Sequence, residues 1–323
     1  MTVRQSCCSL FLLCPTLLLC AAACAQDNAP VTIQRPFLWE MTPPDSDVTS
    51  YLLGTVHVND PNITKLHPQI DAAFESATAA WFEIDFIKDA AKQTQAITMS
   101  DGRKLAELAS ADTVARIDAR LKKLSPLLSR TSLPEFEVVM WPLILANLEA
   151  QMKYLGTVPM DMQLQLAAQK AGKQSGGLED ATSQLKPLLD LPMDDQLEFV
   201  EASLDVMDED DQNGVTQLDV LVRLYAAGQG DELQAYLDKE LDRPKVSAEL
   251  RSVFVDSLLI ARNKRMAEAI HEKVMNAPEG VHFVAVGTAH LLGEESVQDE
   301  LQELGYAVAR VAAPQDAEAA AAE

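Results

Sequence analysis

Cysteine is absent from nearly all of this chain. The five cysteines (Cys7, Cys8, Cys14, Cys20 and Cys24) all lie within the first 25 residues. The rest can form no disulfide and offers no thiol nucleophile, so a metal site there must use His, Asp or Glu. Histidine is scarce as well, with five in 323 residues. Basic residues are in deficit: 26 Lys and Arg stand against 49 Asp and Glu, a formal net charge of −23. Such a surface repels phosphate backbones and anionic membranes, so nucleic acid is excluded as an expected partner. Beyond the amino-terminal segment no apolar run is long enough to span a bilayer. GxSxG, HExxH, GxGxxG and the phosphate-binding glycine loop are also missing, which removes the usual signatures of serine hydrolases, zincins and nucleotide enzymes.

The first 25 residues carry one charged side chain, Arg4, and then the apolar run LFLLCPTLLLCAAACA. The run is short for a membrane span, contains Pro15 and ends in small residues. It reads as a secretory signal peptide over residues 1–25, cleaved after Ala25. A second reading is a lipoprotein signal with a lipid anchor at Cys24. The usual Leu three residues before that cysteine is absent, so plain secretion ranks first. Either way the protein is expected to be exported, periplasmic or secreted, with membrane attachment in the lipoprotein case. Residues 26–311 then form the folded domain, and the Ala-rich residues 312–323 a frayed or disordered tail.

Strand-like runs gather at the two ends of that domain. PFLWEM (Pro36–Met41) and SYLLGTV (Ser50–Val56) are separated by a turn cluster, and AAWFEIDF (Ala79–Phe86) follows. Between the last two, Ile70, Ala73, Phe74 and Ala77 recur at helical spacing, giving a β-α-β unit. VHFVAVG (Val281–Gly287) and YAVARV (Tyr306–Val311) flank a helix near Glu294–Leu304 and make a second such unit. KQSGGLE (Lys173–Glu179) offers one more short strand. The stretch from about 105 to 277 is otherwise helical. The predicted fold is α/β: a parallel or mixed central sheet built from two halves, with a large helical insertion between them.

Two stretches repeat one pattern, GTVH at Gly54–His57 and GTAH at Gly287–His290. Each follows an apolar strand, and ligands bind at the carboxyl ends of strands in open α/β sheets. Closing the sheet would bring His57 and His290 together. In WFEIDF, Glu83 and Asp85 alternate with apolar residues and are expected on one strand face. This strand is expected beside the His57 strand, which lets Glu83 complete a two-histidine, one-carboxylate set for a divalent metal. Asp85 is a further candidate, either as an extra ligand or as an acceptor that orients a histidine. Arg262 and Asn263 read, on spacing alone, as a solvated helix face, because Lys264 and Arg265 follow. MDEDDQNGVTQLDV resembles a calcium loop but has Val220 where a bidentate Glu is needed, so an acidic loop between helices is expected. His67 and His271 are expected at the surface.

Taken in order, YLLGTVHV, WFEIDF, GGLE (Gly176–Glu179), LLIARNKRMAEAI and FVAVGTAHLLGEESVQDELQELGYAVARV resemble the TraB/GumN family, related to the Tiki proteins. The resemblance implies a fold like that of erythromycin-esterase and haem-binding ChaN proteins. It implies a metal-dependent, protease-like hydrolase, with His57, His290 and Glu83 at the site, and it raises Arg262 and Asn263 to site candidates. The expected function is therefore an exported metal-dependent hydrolase, a peptidase using Mn²⁺, Co²⁺ or Zn²⁺ to activate water. His57, Glu83, His290 and Asp85 are the candidate ligands, and Glu83, Arg262 and Asn263 the candidate catalytic groups. Arg262, always charged, suits an oxyanion. The substrate is a peptide or small molecule. The alternative is a non-catalytic periplasmic protein that binds a ligand or haem in the same cleft.

Overall fold

A computed structural model describes residues 32–243 and 246–312. The leader reading over 1–25, with Cys24, and the tail reading beyond Ala312 lie outside these residues. At the centre is a six-stranded sheet of β1 (Leu38–Thr42), β2 (Ser50–Thr55), β3 (Ala79–Phe82), β4 (Gln174–Gly177), β5 (His282–Gly287) and β6 (Ala307–Arg310). The strand order is β4-β3-β5-β2-β1-β6. β1 runs antiparallel to both neighbours, and every other pairing is parallel. The sheet is therefore mixed, and the carboxyl ends of β2, β3, β4 and β5 share one edge.

One placement differs from the sequence expectation. β3 does not lie beside β2, because β5 runs between them, pairing Gly54 with Val286 on one side and Phe82 with Ala285 on the other. The crossover through the helix Pro68–Ser76 leaves a gap one strand wide. Only a strand apolar on both faces can fill it, and β5 is buried along nearly its whole length. The chain's two ends thus interleave at the middle of the sheet.

Alternate residues of these strands feed two cores. Leu53, Phe82 and Phe283 pack with Ile70, Phe74, Leu164 and Tyr225 on one face. Leu52, Trp81 and Val284 pack with Met266, Ile270 and Leu301 on the other. A third core, around Trp141, Leu145, Val200 and Leu204, lies within the helices that follow Leu105. Helices cover both faces, as a largely parallel sheet requires.

Three local expectations change. The strand read across WFEIDF stops at Phe82. The Glu83 carbonyl accepts from the N–H groups of Leu178 and Glu179, at 3.2 and 2.8 Å, and the chain turns away. The acidic run before Gly214 is no loop: it is the end of a helix, Met193–Asn213, closed by Gly214 at φ +69°. The long carboxyl-terminal helix is interrupted, with Val253–Ile260 wound as a π-helix before Ala261–Met275 continues in α form. No described helix is long and apolar enough to cross a membrane.

Candidate metal centre

The repeated Gly-Thr-x-His pattern has a physical explanation at each position. Thr55 pairs with Gly287 where β2 and β5 end side by side. The two threonines lock these ends together. Thr288 Oγ1 donates to the Thr55 carbonyl at 2.9 Å, and Thr55 Oγ1 donates to the Val286 carbonyl at 3.2 Å. The glycines allow the close approach. A Cβ on Gly54 would stand 2.8 Å from Thr288 Oγ1. A Cβ on Gly287 would stand 3.0 Å from Glu83 Oε1 and 3.7 Å from His57 Nε2. The missing Cβ of Gly287 therefore leaves a cradle bordered by the site residues themselves.

His57 and His290 then leave their strands toward one carboxylate. His57 Nε2 is 3.9 Å and His290 Nε2 4.0 Å from Glu83 Oε1. The other ring nitrogen of each is held. His57 Nδ1 lies 3.0 Å from Asp161 Oδ2, and His290 Nδ1 lies 2.6 Å from Asn263 Oδ1. Asn263 is itself oriented, since its Nδ2 donates to the Glu295 carbonyl at 2.8 Å. Its Oδ1 must then accept from His290 Nδ1–H, which leaves the lone pair on Nε2. A carboxylate cannot donate, so Asp161 sets the same tautomer for neutral His57.

Glu83 is anchored by three donors. Gly287 N–H donates to Oε1 at 2.5 Å. Arg262 Nη2 and Gln184 Nε2 donate to Oε2 at 2.6 and 2.9 Å. Arg262 also donates to Glu179 through Nε at 2.8 Å and to the Leu258 carbonyl at 3.3 Å. Arg262 and Asn263 are thus buried, correcting the solvated-face reading made from spacing. Arg262 bridges Glu83 and Glu179 through Nη2 and Nε. Asp85 goes elsewhere. It caps the helix Phe86–Ala96, accepting from Lys88 N–H at 3.0 Å and pairing with Lys88 Nζ at 3.0 Å. The end of β3 at Phe82 is the reason it does not share a strand face with Glu83.

The electrostatics divide the two histidines. The Asp161 carboxylate raises His57 to about 9, against the partial loss of water around the ring. Burial lowers His290 to about 4, only partly opposed by Glu83. Burial pushes Glu83 up, but His290, His57, Arg262 and the Gly287 N–H outweigh it and hold the carboxyl at about 2. The His57 side chain is 51% exposed while Glu83 and His290 are buried, so the centre opens to solvent on the His57 side.

In type and direction the donors suit a divalent first-row ion: two imidazole lone pairs and a carboxylate oxygen. In spacing they stand apart. Ligands about 2.0–2.1 Å from a tetrahedral ion lie roughly 3.3 Å from one another, closer than these pairs. Accordingly, among the described residues no three His, Cys, Asp or Glu side chains are gathered tightly enough to hold an ion as they stand.

Sequence reasoning missed Asp161, Glu179 and Gln184. GGLE contains Glu179, but nothing in the sequence gave that residue a partner. Of the remaining histidines, His67 caps the helix Pro68–Ser76, His271 bonds Tyr306 Oη at 3.2 Å, and buried His282 accepts from Trp81 Nε1 at 3.0 Å.

A mixed α/β sheet covered by helices, with two motif histidines and a buried carboxylate at its carboxyl edge, defines the class. The chain belongs to the TraB/PrgY/gumN family, whose sequence profile matches residues 37–310. It is similar to Metalloprotease TIKI2 of Danio rerio, 25% identical over an alignment of 312 positions, with coverages of 84% of this chain and 60% of that protein. Metalloprotease TIKI1 of Danio rerio is 23% identical, with coverages of 89% and 65%. A Metalloprotease TIKI homolog of Nematostella vectensis is 24% identical, with coverages of 90% and 70%. The chain spans about three fifths of the length of the first of these relatives. No solved structure matches it.

Proposed function

We propose that this chain is a metal-dependent peptidase whose centre is His57, Glu83 and His290. One observation carries the reading: two histidines, each with Nδ1 held, turn Nε2 toward the same oxygen of one buried carboxylate. The metalloprotease names of its relatives support it, and they favour a peptide substrate. His57 and His290 would hold Mn²⁺, Co²⁺ or Zn²⁺ through Nε2, with Glu83 Oε1 as the anionic ligand. When bound, such an ion polarises a carbonyl and lowers the pKa of water from 15.7 to about 7.

The protein's own groups set the rest. Glu83 has both oxygens engaged and is held strongly ionised, so it suits a ligand and not a general base. Arg262 and Gln184 keep it in place. Asn263 keeps His290 in its tautomer. The open side beside His57 admits substrate. Export through the amino-terminal segment, as a free protein or anchored at Cys24, remains part of this reading.

The test is cleavage of a peptide library by purified protein stripped with chelator and then resupplied with Mn²⁺, Co²⁺ or Zn²⁺. Cleavage is expected only after resupply, and it should fall to background in His57→Ala, Glu83→Ala and His290→Ala. No cleavage and no metal uptake, with a Soret band on haem titration, would instead establish the ligand-binding alternative.

A further inference from the structure

The helix Met160–Lys170 touches two parts of the centre from one face. Asp161 Oδ2 lies 3.0 Å from His57 Nδ1. One turn on, Gln165 Nε2 donates at 3.1 Å to the carbonyl of Ile84, the residue after Glu83. Both side chains are buried, and each keeps one acceptor with no donor among the described residues: Asp161 Oδ1 and Gln165 Oε1.

An unpaired oxygen on a buried carboxylate costs stability. The ion pair with protonated His57 offsets part of that cost and leaves Oδ1 without a donor. A buried acceptor left without a donor is the kind of local conflict expected at functional sites. Among the described residues the Asp161 side chain has one hydrogen-bond partner, and that partner is His57.

We propose that Asp161 is a positioning residue of the centre, receiving His57 Nδ1–H and aiming Nε2 at the Glu83 side to take a divalent cation. This rests on the metal reading above. The two histidines then have unlike outer partners. His57 is backed by an anion, and His290 by the neutral amide of Asn263. A carboxylate behind a ligating imidazole raises its basicity and fixes its ring. His57 is also the half-exposed member of the pair, with less packing to hold its ring than His290 has. An anionic partner supplies what packing does not.

The test is calorimetric titration of the purified chain with Zn²⁺ and Co²⁺, beside thermal melting of the metal-free form. Asp161→Asn is expected to weaken the ion about 10–100-fold, a loss read separately from any fall in metal-free melting temperature caused by the missing ion pair with His57. Asp161→Glu keeps an anionic acceptor and is expected to retain most of the affinity, which gives a second reading should the Asn variant not fold. Unaltered affinity in Asp161→Asn, whatever its melting temperature, would overturn the proposal and make Asp161 a structural strut. Equal weakening in the Asn and Glu variants would overturn the role of charge. If the wild-type chain binds no ion, the metal reading itself fails and the role of Asp161 falls with it.

Discussion

Gly287 is the residue on which the centre depends most simply. Its missing Cβ leaves room between Glu83, His290 and His57, at 3.0, 3.6 and 3.7 Å from the nearest atoms. Gly287→Ala is expected to abolish ion uptake in calorimetric titration while the protein still unfolds cooperatively in urea. Gly54→Ala acts differently. Its methyl would press on Thr288 Oγ1 and on Phe37 Cβ, at 2.8 and 3.0 Å. Overpacking of this kind costs about 1–3 kcal/mol, read as a lowered urea midpoint. At this scale the sequence was informative where residues were rare. Two of only five histidines share a motif, and that stood out. Asp161 and Glu179 did not, because they are two among 49 acids with no pattern of their own. Arg262 and Asn263 were hidden by Lys264 and Arg265, which mimic an exposed face. Their burial follows from partners more than 80 residues away in one case and 27 in the other.

Among the elements, β5 carries the arrangement. It sits between β2 and β3 and delivers Gly287 and His290 to the strand ends where His57 and Glu83 emerge. Phe283 secures it, fully buried and edge-on to Phe74 with ring centroids 5.3 Å apart. Phe283→Ala is expected to destabilise the protein by about 3–5 kcal/mol in chemical denaturation. The strands themselves were legible from their apolar runs and turn residues. Their order was not, because a β-α-β crossover fixes handedness and leaves open how many strands it skips. The end of β3 at Phe82 was equally hidden. Alternation continues through Asp85, but Leu178 and Glu179 take the Glu83 carbonyl and turn the chain. The π-helical turn at Val253–Ile260 left no mark either, since its apolar residues keep an ordinary helical spacing.

Over the whole molecule, stability depends on pH through groups whose pKa values folding has shifted. The centre sets the windows for the metal-free protein. His290 is lowered from 6.5 to about 4, so its contribution is present at neutral pH and lost as pH falls from about 6.5 to 4. Glu83 is lowered from 4.5 to about 2, and its contribution disappears further down, as pH falls through that interval. His57 is raised from 6.5 to about 9, so its contribution is present below about 6.5 and lost as pH rises through 9. Thermal melts in chelator are therefore expected to show a stability maximum near pH 6.5. His290→Ala should flatten the acid side between pH 6.5 and 4, while Asp161→Asn should flatten the alkaline side.

The central claim is that His57, Glu83 and His290 act together on one ion. Elemental analysis of the purified chain after equilibration with Mn²⁺, Co²⁺ or Zn²⁺ tests this most directly. The account expects one ion per chain for one of these metals, and none in His57→Ala, Glu83→Ala or His290→Ala variants that retain the fold. A folded wild-type chain that takes up no ion, or three variants that bind as the wild type does, would contradict it.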